Sequence, residues 1–202
     1  MRTADVDILM IPGWSNSDAD HWQSRWQRNL RTAFRVEQDD WQRPDRTVWV
    51  DRVVAAVARA SRPVVLVAHS LGVATVLHAA PLVDRQKMAG VFLVAPSDLD
   101  AVMEWPRDSG QDWSEIVGSF GAMPSARLPC PAKVIASSDD AFCSVERAHA
   151  LGEMWGADVS ILANAGHINS GSGHGPWPEG LLSFGQFLRT LSSGTPAEGS
   201  PA

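Results

Sequence analysis

Along this chain, short runs of Val, Ile and Leu alternate with longer stretches whose apolar residues recur every three or four positions. Residues 7–11, 64–68, 91–95, 133–136 and 159–162 form the runs. They are nearly continuous rather than alternating, the pattern of strands covered on both faces. Residues 34–38 make a weaker sixth candidate. Residues 21–30, 46–60, 71–82, 144–155 and 181–191 read as helices, and the second carries Val50, Val53, Val54 and Val57 as a core-facing stripe. Strands separated by helices of this length connect as right-handed βαβ units into a parallel sheet. In such sheets the chemistry gathers beyond the carboxyl ends of the strands.

No internal repeat or linker divides the pattern, so residues 1–191 are expected to form one α/β domain. Residues 192–202, rich in Ser, Gly and Pro, read as a disordered tail. The net charge of −6 comes with no basic run, which removes the electrostatic footprint of a nucleic-acid partner. No apolar stretch approaches the roughly 18 residues of a membrane span, and the first ten residues lack a signal-peptide layout. Two cysteines, Cys130 and Cys143, are too few for a disulfide framework; a reducing cytoplasm is the expected location. Nine tryptophans occur but no tyrosine. Any role given to a phenol must therefore fall to backbone, Ser, Thr, Trp N–H or water.

The most informative junction is Val67-Ala68-His69-Ser70-Leu71-Gly72, where an apolar strand runs directly into a helix. It matches the strand–turn–helix setting of a nucleophile elbow, G-x-S-x-G, with Ala68 in the first glycine position. Small residues are needed there because the turn is tight. The helix N-terminus that follows favours a developing oxyanion, with the N–H of Leu71 as the expected donor. The plainer alternative is a serine that only caps the helix.

A serine nucleophile needs a base, and the base an orienting acid. In hydrolases built on an elbow, acid and then histidine follow the serine in chain order. His167 follows the last strand, and Gly166 gives its loop room to bend back over the strand ends. His174, in the glycine-rich stretch beyond, is the runner-up. His69 flanks the nucleophile and is expected to point away from it; His21, His78 and His149 fall on helices. The acid is expected where residues 133–136 end, at Asp139 or Asp140, with the other carboxylate capping a helix or facing solvent. Cys143 is expected to be an inert thiol. His167 and His174 lack a carboxylate or cysteine at ligand spacing, so no metal is expected.

These residues together resemble the small serine hydrolases typified by retinoblastoma-binding protein nine and bacterial YdeN. The similar segments are Ile11-Pro12-Gly13-Trp14, His21-Trp22-Gln23-Ser24, the elbow at Ser70, Ser138-Asp139-Asp140 with Phe142, and Gly166-His167. The resemblance implies a compact α/β-hydrolase with six parallel strands in the order 2-1-3-4-5-6 and helices on both faces. It implies a Ser70–His167–Asp140 triad, with Asp139 as the alternative acid and the N–H of Trp14 as second oxyanion donor. It needs no cofactor. Leu128-Pro129-Cys130-Pro131-Ala132 departs from the L-x-C-x-E signature of retinoblastoma binding, so that partner is not expected.

The reaction so implied is hydrolysis of small acyl esters, with the acyl substrate and water as partners. Trp14, Trp22, Trp105 and Trp177 are candidates to wall an apolar acyl pocket, against ordinary core packing for each. A binding or scaffolding protein on the same fold, and cofactor-free peroxidation by the same triad, are the rival readings.

Overall fold

The computed structural model describes residues 1–101 and 117–191. Trp105, Trp113 and the tail from residue 192 lie outside them. Six strands form one parallel sheet: β1 Asp7–Ile11, β2 Ala33–Arg35, β3 Val64–Ser70, β4 Met88–Pro96, β5 Ala132–Ser137 and β6 Asp158–Leu162. Their spatial order is β2-β1-β3-β4-β5-β6, and every neighbouring pair is parallel. The helices that flank the sheet among the described residues include α1 Trp22–Asn29, α2 Arg46–Arg59, α3 Leu71–Ala79, α4 Val145–Trp155 and α5 Pro178–Thr190.

Alternate residues of the central strands feed two cores. Leu9, Ile11, Leu66 and Ala68 pack with α2, α3 and α4 through Trp49, Val53, Val73 and Leu151. Ile8, Met10, Val65 and Val67 face α1 and α5 through Trp22, Trp26, Phe184 and Leu188. Both parities are therefore apolar, the cause of the unbroken hydrophobic runs. On α2 the inner face is Trp49, Val50, Val53 and Val57, while Val54 is only partly buried.

The edges depart most from expectation. Strand β2 covers Ala33–Arg35 rather than 34–38, and its last tie to β1 is the Val36 N–H on the Met10 carbonyl. Phe34, on this edge, is 51% exposed. Helix α3 stops at Ala79 because Pro81 has no N–H with which to extend the ladder. Helix α5 begins at Pro178, three residues before its apolar periodicity, since proline fits the first helical position and Glu179 suits the positive helix end. Among the described residues no helix is long and apolar enough to cross a membrane.

Candidate active site

Ser70 ends β3 and caps α3 with φ 56° and ψ −127°. For a residue with a side chain this backbone is strained by about 1–3 kcal/mol, and its surroundings must enforce it. They do so by close packing. A Cβ on Gly72 would lie 2.3 Å from the Ile11 carbonyl oxygen, and one on Gly13 would lie 2.7 Å from the Ser70 Cβ. The same Gly13 position lies 3.0 Å from the Leu71 nitrogen, so the turn after β1 is pressed against the start of α3. Ala68 is fully buried where a glycine is usual, and the turn forms with its methyl in place.

The Ser70 Oγ is 2.9 Å from the Nε2 of His167. The other ring nitrogen, Nδ1, lies 3.0 Å from both carboxylate oxygens of Asp140. Since the carboxylate accepts, Nδ1 carries a proton, and in the neutral imidazole Nε2 is then the acceptor and the Ser70 hydroxyl donates to it. The Asp140 side chain is 1% exposed, and its Oδ1 also accepts the Phe142 N–H at 2.9 Å. The Phe142 ring packs over the imidazole with centroids 4.3 Å apart. Asp140 is therefore the carboxylate on the imidazole, and Asp139 has another task. Its Oδ1 accepts the Gly166 N–H at 2.8 Å and the Ser137 hydroxyl at 2.7 Å. The Ser137 hydroxyl and then the Gly166 N–H hold this exposed carboxyl below the usual range.

The loop carrying His167 is gripped along its length by the end of β5. The Asn164 N–H donates to Ser138 Oγ, the Ala165 N–H to Ser137 Oγ and the Gly166 N–H to Asp139. From the opposite side, the carbonyl of His167 accepts from His69 Nε2 at 2.9 Å. His69 thus turns to the main chain of the His167 loop rather than to the Ser70 hydroxyl. Burial drives its pKa well below the ordinary histidine value, so it is neutral. His21 caps α1, accepting the Gln23 N–H on Nδ1, and sets its ring edge-on to His69 with centroids 4.8 Å apart. Burial lowers its pKa to about 4. His174 bonds to Ser172 and does not take the place of His167.

A cavity of about 260 Å³ opens over Ser70 and His167. Its walls mix polar and apolar surface, with Ser15, Asn16, Asp18, Asn169 and Ser170 beside Trp14, His21, His69 and Phe142. Of the three described tryptophans expected to wall an acyl pocket, only Trp14 lines this cavity. Trp22 and Trp177 belong to the core between α1 and α5, where ring contacts with each other and with Trp26 bury them. The Trp22 Nε1–H donates to the Ile168 carbonyl at 2.9 Å, directly after the histidine. Its neighbour Gln23 donates to the carbonyls of Ile11 and Val67. The fourth, Trp105, lies outside the described residues.

Two further side chains complete the surroundings. Ser97, fully buried just after β4, places its Oγ 3.0 Å from the Ser70 Oγ. Only its place after a strand marked it in the sequence, since a serine after V-A-P matches no familiar motif. Cys143 is buried, and desolvation together with Asp98 and Asp140 pushes its thiol up to about 12, leaving it protonated and unreactive. Among the described residues no group of three His, Cys, Asp or Glu is arranged to hold a metal ion.

The model of the serine hydrolase family matches residues 8–186. This chain belongs to the serine hydrolase family. Among solved structures it is similar to a YdeN-like hydrolase from Pectobacterium atrosepticum, at 28% identity and TM-score 0.76, covering 94% of each chain. The ydeN gene product of B. subtilis is 17% identical, with TM-score 0.70 over 90% of this chain and 98% of that one. Alpha/beta hydrolase domain-containing protein 10 from mouse is 15% identical, with TM-score 0.67 over 92% and 90%. The last two share the fold. A search of curated protein sequences returns no match. The six-stranded parallel sheet is that of an α/β-hydrolase.

Proposed function

We propose that this serine hydrolase cleaves small acyl esters through an acyl-enzyme on Ser70, with His167 as general base and acid and Asp140 orienting it. The observation that carries the reading is the unbroken hydrogen-bonded line from Asp140 through His167 to the Ser70 hydroxyl. In the first step the Ser70 Oγ attacks the acyl carbon and its proton passes to His167 Nε2. The carbonyl pair moves onto oxygen, where the N–H groups of Leu71 and Trp14 are the donors. The approach of the Gly13 turn to the Leu71 nitrogen supports that pairing. Collapse expels the alcohol, which takes the proton from Nε2. Water then repeats the sequence and frees the acid.

The imidazolium formed in each step is stabilised by the buried Asp140 carboxylate. At about 260 Å³ the cavity lies just below the usual small-molecule sites, which run from about 300 Å³ upward. Its size fits short acyl groups better than long chains. A fluorophosphonate probe tests the reading. The folded protein is expected to label at Ser70, Ser70→Ala to lose the label, and p-nitrophenyl esters to turn over faster as the acyl chain shortens. A folded protein that does not label acts instead as a binding or scaffolding protein.

A further inference from the structure

We propose that Ser97 is a fourth catalytic side chain, whose hydroxyl donates to the nucleophile oxygen throughout the reaction. The proposal rests on the hydrolase reading above and adds to it a residue outside the triad.

The direction of the bond follows from elimination. Asp140 fixes the His167 proton on Nδ1, so the proton between His167 and Ser70 belongs to Ser70. The Ser70 hydroxyl has no second proton to give, and the 3.0 Å contact with Ser97 must be supplied by the Ser97 O–H. The Ser70 Oγ therefore gives one hydrogen bond and receives another.

The backbone is built to put Ser97 there. Between β3 and β4 the register pairs His69 with Val94 but Ser70 with Pro96, so Ala95 is an extra residue in β4. Ala95 is fully buried and sits at φ 46°, an uncommon conformation for a residue with a side chain. A bulge of this kind re-aims the residues that follow it. Here they are Pro96, beside the nucleophile, and then Ser97. The next residue is pinned too, since the Asp98 N–H donates to the Phe142 carbonyl at 2.9 Å, in the loop that carries the acid. Ser97 is 0% exposed, so bulk water does not replace its hydroxyl.

The chemistry this permits is specific. When the Ser70 proton moves to His167, the oxygen that attacks keeps the Ser97 hydrogen bond, which orients its remaining lone pair and offsets its charge. In deacylation the proton of water passes to His167 Nε2 and the hydroxide oxygen bonds to the acyl carbon. The carbonyl pair then returns, the bond from carbon to Ser70 Oγ breaks, and that oxygen takes the proton from Nε2. Ser97 keeps its own proton in every step. Its hydrogen bond strengthens as charge returns to the leaving Oγ, so it lowers both barriers and leaves substrate binding alone.

The test uses stopped-flow p-nitrophenyl acetate kinetics on wild type, Ser97→Ala and Ser97→Cys. Loss of one donor to a reacting atom is expected to slow acylation and deacylation each by about tenfold in Ser97→Ala. KM for the two-step reaction changes little because both steps slow together. Ser97→Cys, of similar size with a weaker donor, is expected to fall between. Fluorophosphonate labelling of Ser97→Ala is expected to reach full stoichiometry on Ser70, only more slowly, which separates a lost donor from a collapsed site. Wild-type rates in both variants, or faster acylation in Ser97→Ala, overturn the proposal while leaving the hydrolase reading intact. A wild-type protein that never labels overturns the hydrolase reading and this one with it.

Discussion

The elbow at Ser70 and the loop that carries His167 stand 2.9 Å apart across one hydrogen bond, yet they are built in opposite ways. The elbow is made by its own neighbours. A strand delivers Ser70, a helix receives it, and Gly72 and Gly13 permit the close approach that holds the strained backbone. The loop over residues 163–169 has little structure of its own. It is held at three successive N–H groups by side chains of Ser137, Ser138 and Asp139 at and just beyond the end of β5, by His69 at the carbonyl of residue 167 and by Trp22 at that of residue 168. Intrinsic strain is thus fixed by sterics, and an extrinsic loop by a ring of hydrogen bonds. Damage to the first should be abrupt, and damage to the second graded.

The largest expected effect is at the point where the two regions join in chemistry. Asp140→Asn leaves the shape intact but no longer fixes the Nδ1 proton, and kcat for p-nitrophenyl acetate should fall about ten-thousand-fold. Next is the elbow's steric frame. Gly13→Ala forces a methyl to within 2.7 Å of the Ser70 Cβ. A displacement on the ångström scale costs roughly a hundredfold in rate, and fluorophosphonate labelling should slow in step. For the loop, Trp22→Phe keeps an aromatic ring but removes the N–H on the Ile168 carbonyl and part of the buried ring volume. Stability should drop by about 1–3 kcal/mol in urea titration, with kcat falling several-fold rather than collapsing. An abrupt loss there would erase the contrast between the two regions.

The smallest effect concerns acid. His21 and His69 bridge elbow and loop as neutral imidazoles, and burial lowers both pKa values, that of His21 to about 4. The unfolded chain, titrating near 6.5, takes up the proton first. Stability from the buried neutral His21 is therefore full above pH 6.5 and declines as pH falls toward 4, by about 3 kcal/mol at most. Thermal unfolding followed from pH 7 to pH 4 should show that decline. His21→Asn keeps an acceptor for the Gln23 N–H and should lessen the decline, leaving the part due to His69.

The same contrast explains what could be read from the sequence. The elbow is contiguous, so the apolar strand, Ser70 and Gly72 announce it in one segment, and the sheet order follows from five strong strands and the resemblance. His167 is legible because it follows a strand. The choice between Asp139 and Asp140 is not, because both follow β5 and only the three-dimensional path of the loop assigns one to Gly166 and the other to the imidazole. Trp22 reads equally well as a pocket wall or a core ring; its bond to Ile168 spans 146 positions and leaves no local trace. Ser97 depends on a bulge at Ala95, and hydrophobic patterning does not register one extra residue in a buried strand. What is made by neighbours is readable, and what is made by distant side chains is not.

The account turns on Ser70 becoming acylated through the line from Asp140 and His167. The direct measurement is the mass of the quenched protein early in turnover of p-nitrophenyl acetate, followed by peptide mapping. One acetyl group on Ser70, absent from Ser70→Ala and greatly delayed in Asp140→Asn, is the result the geometry predicts. Turnover that leaves Ser70 unmodified, or that survives in Ser70→Ala, contradicts it.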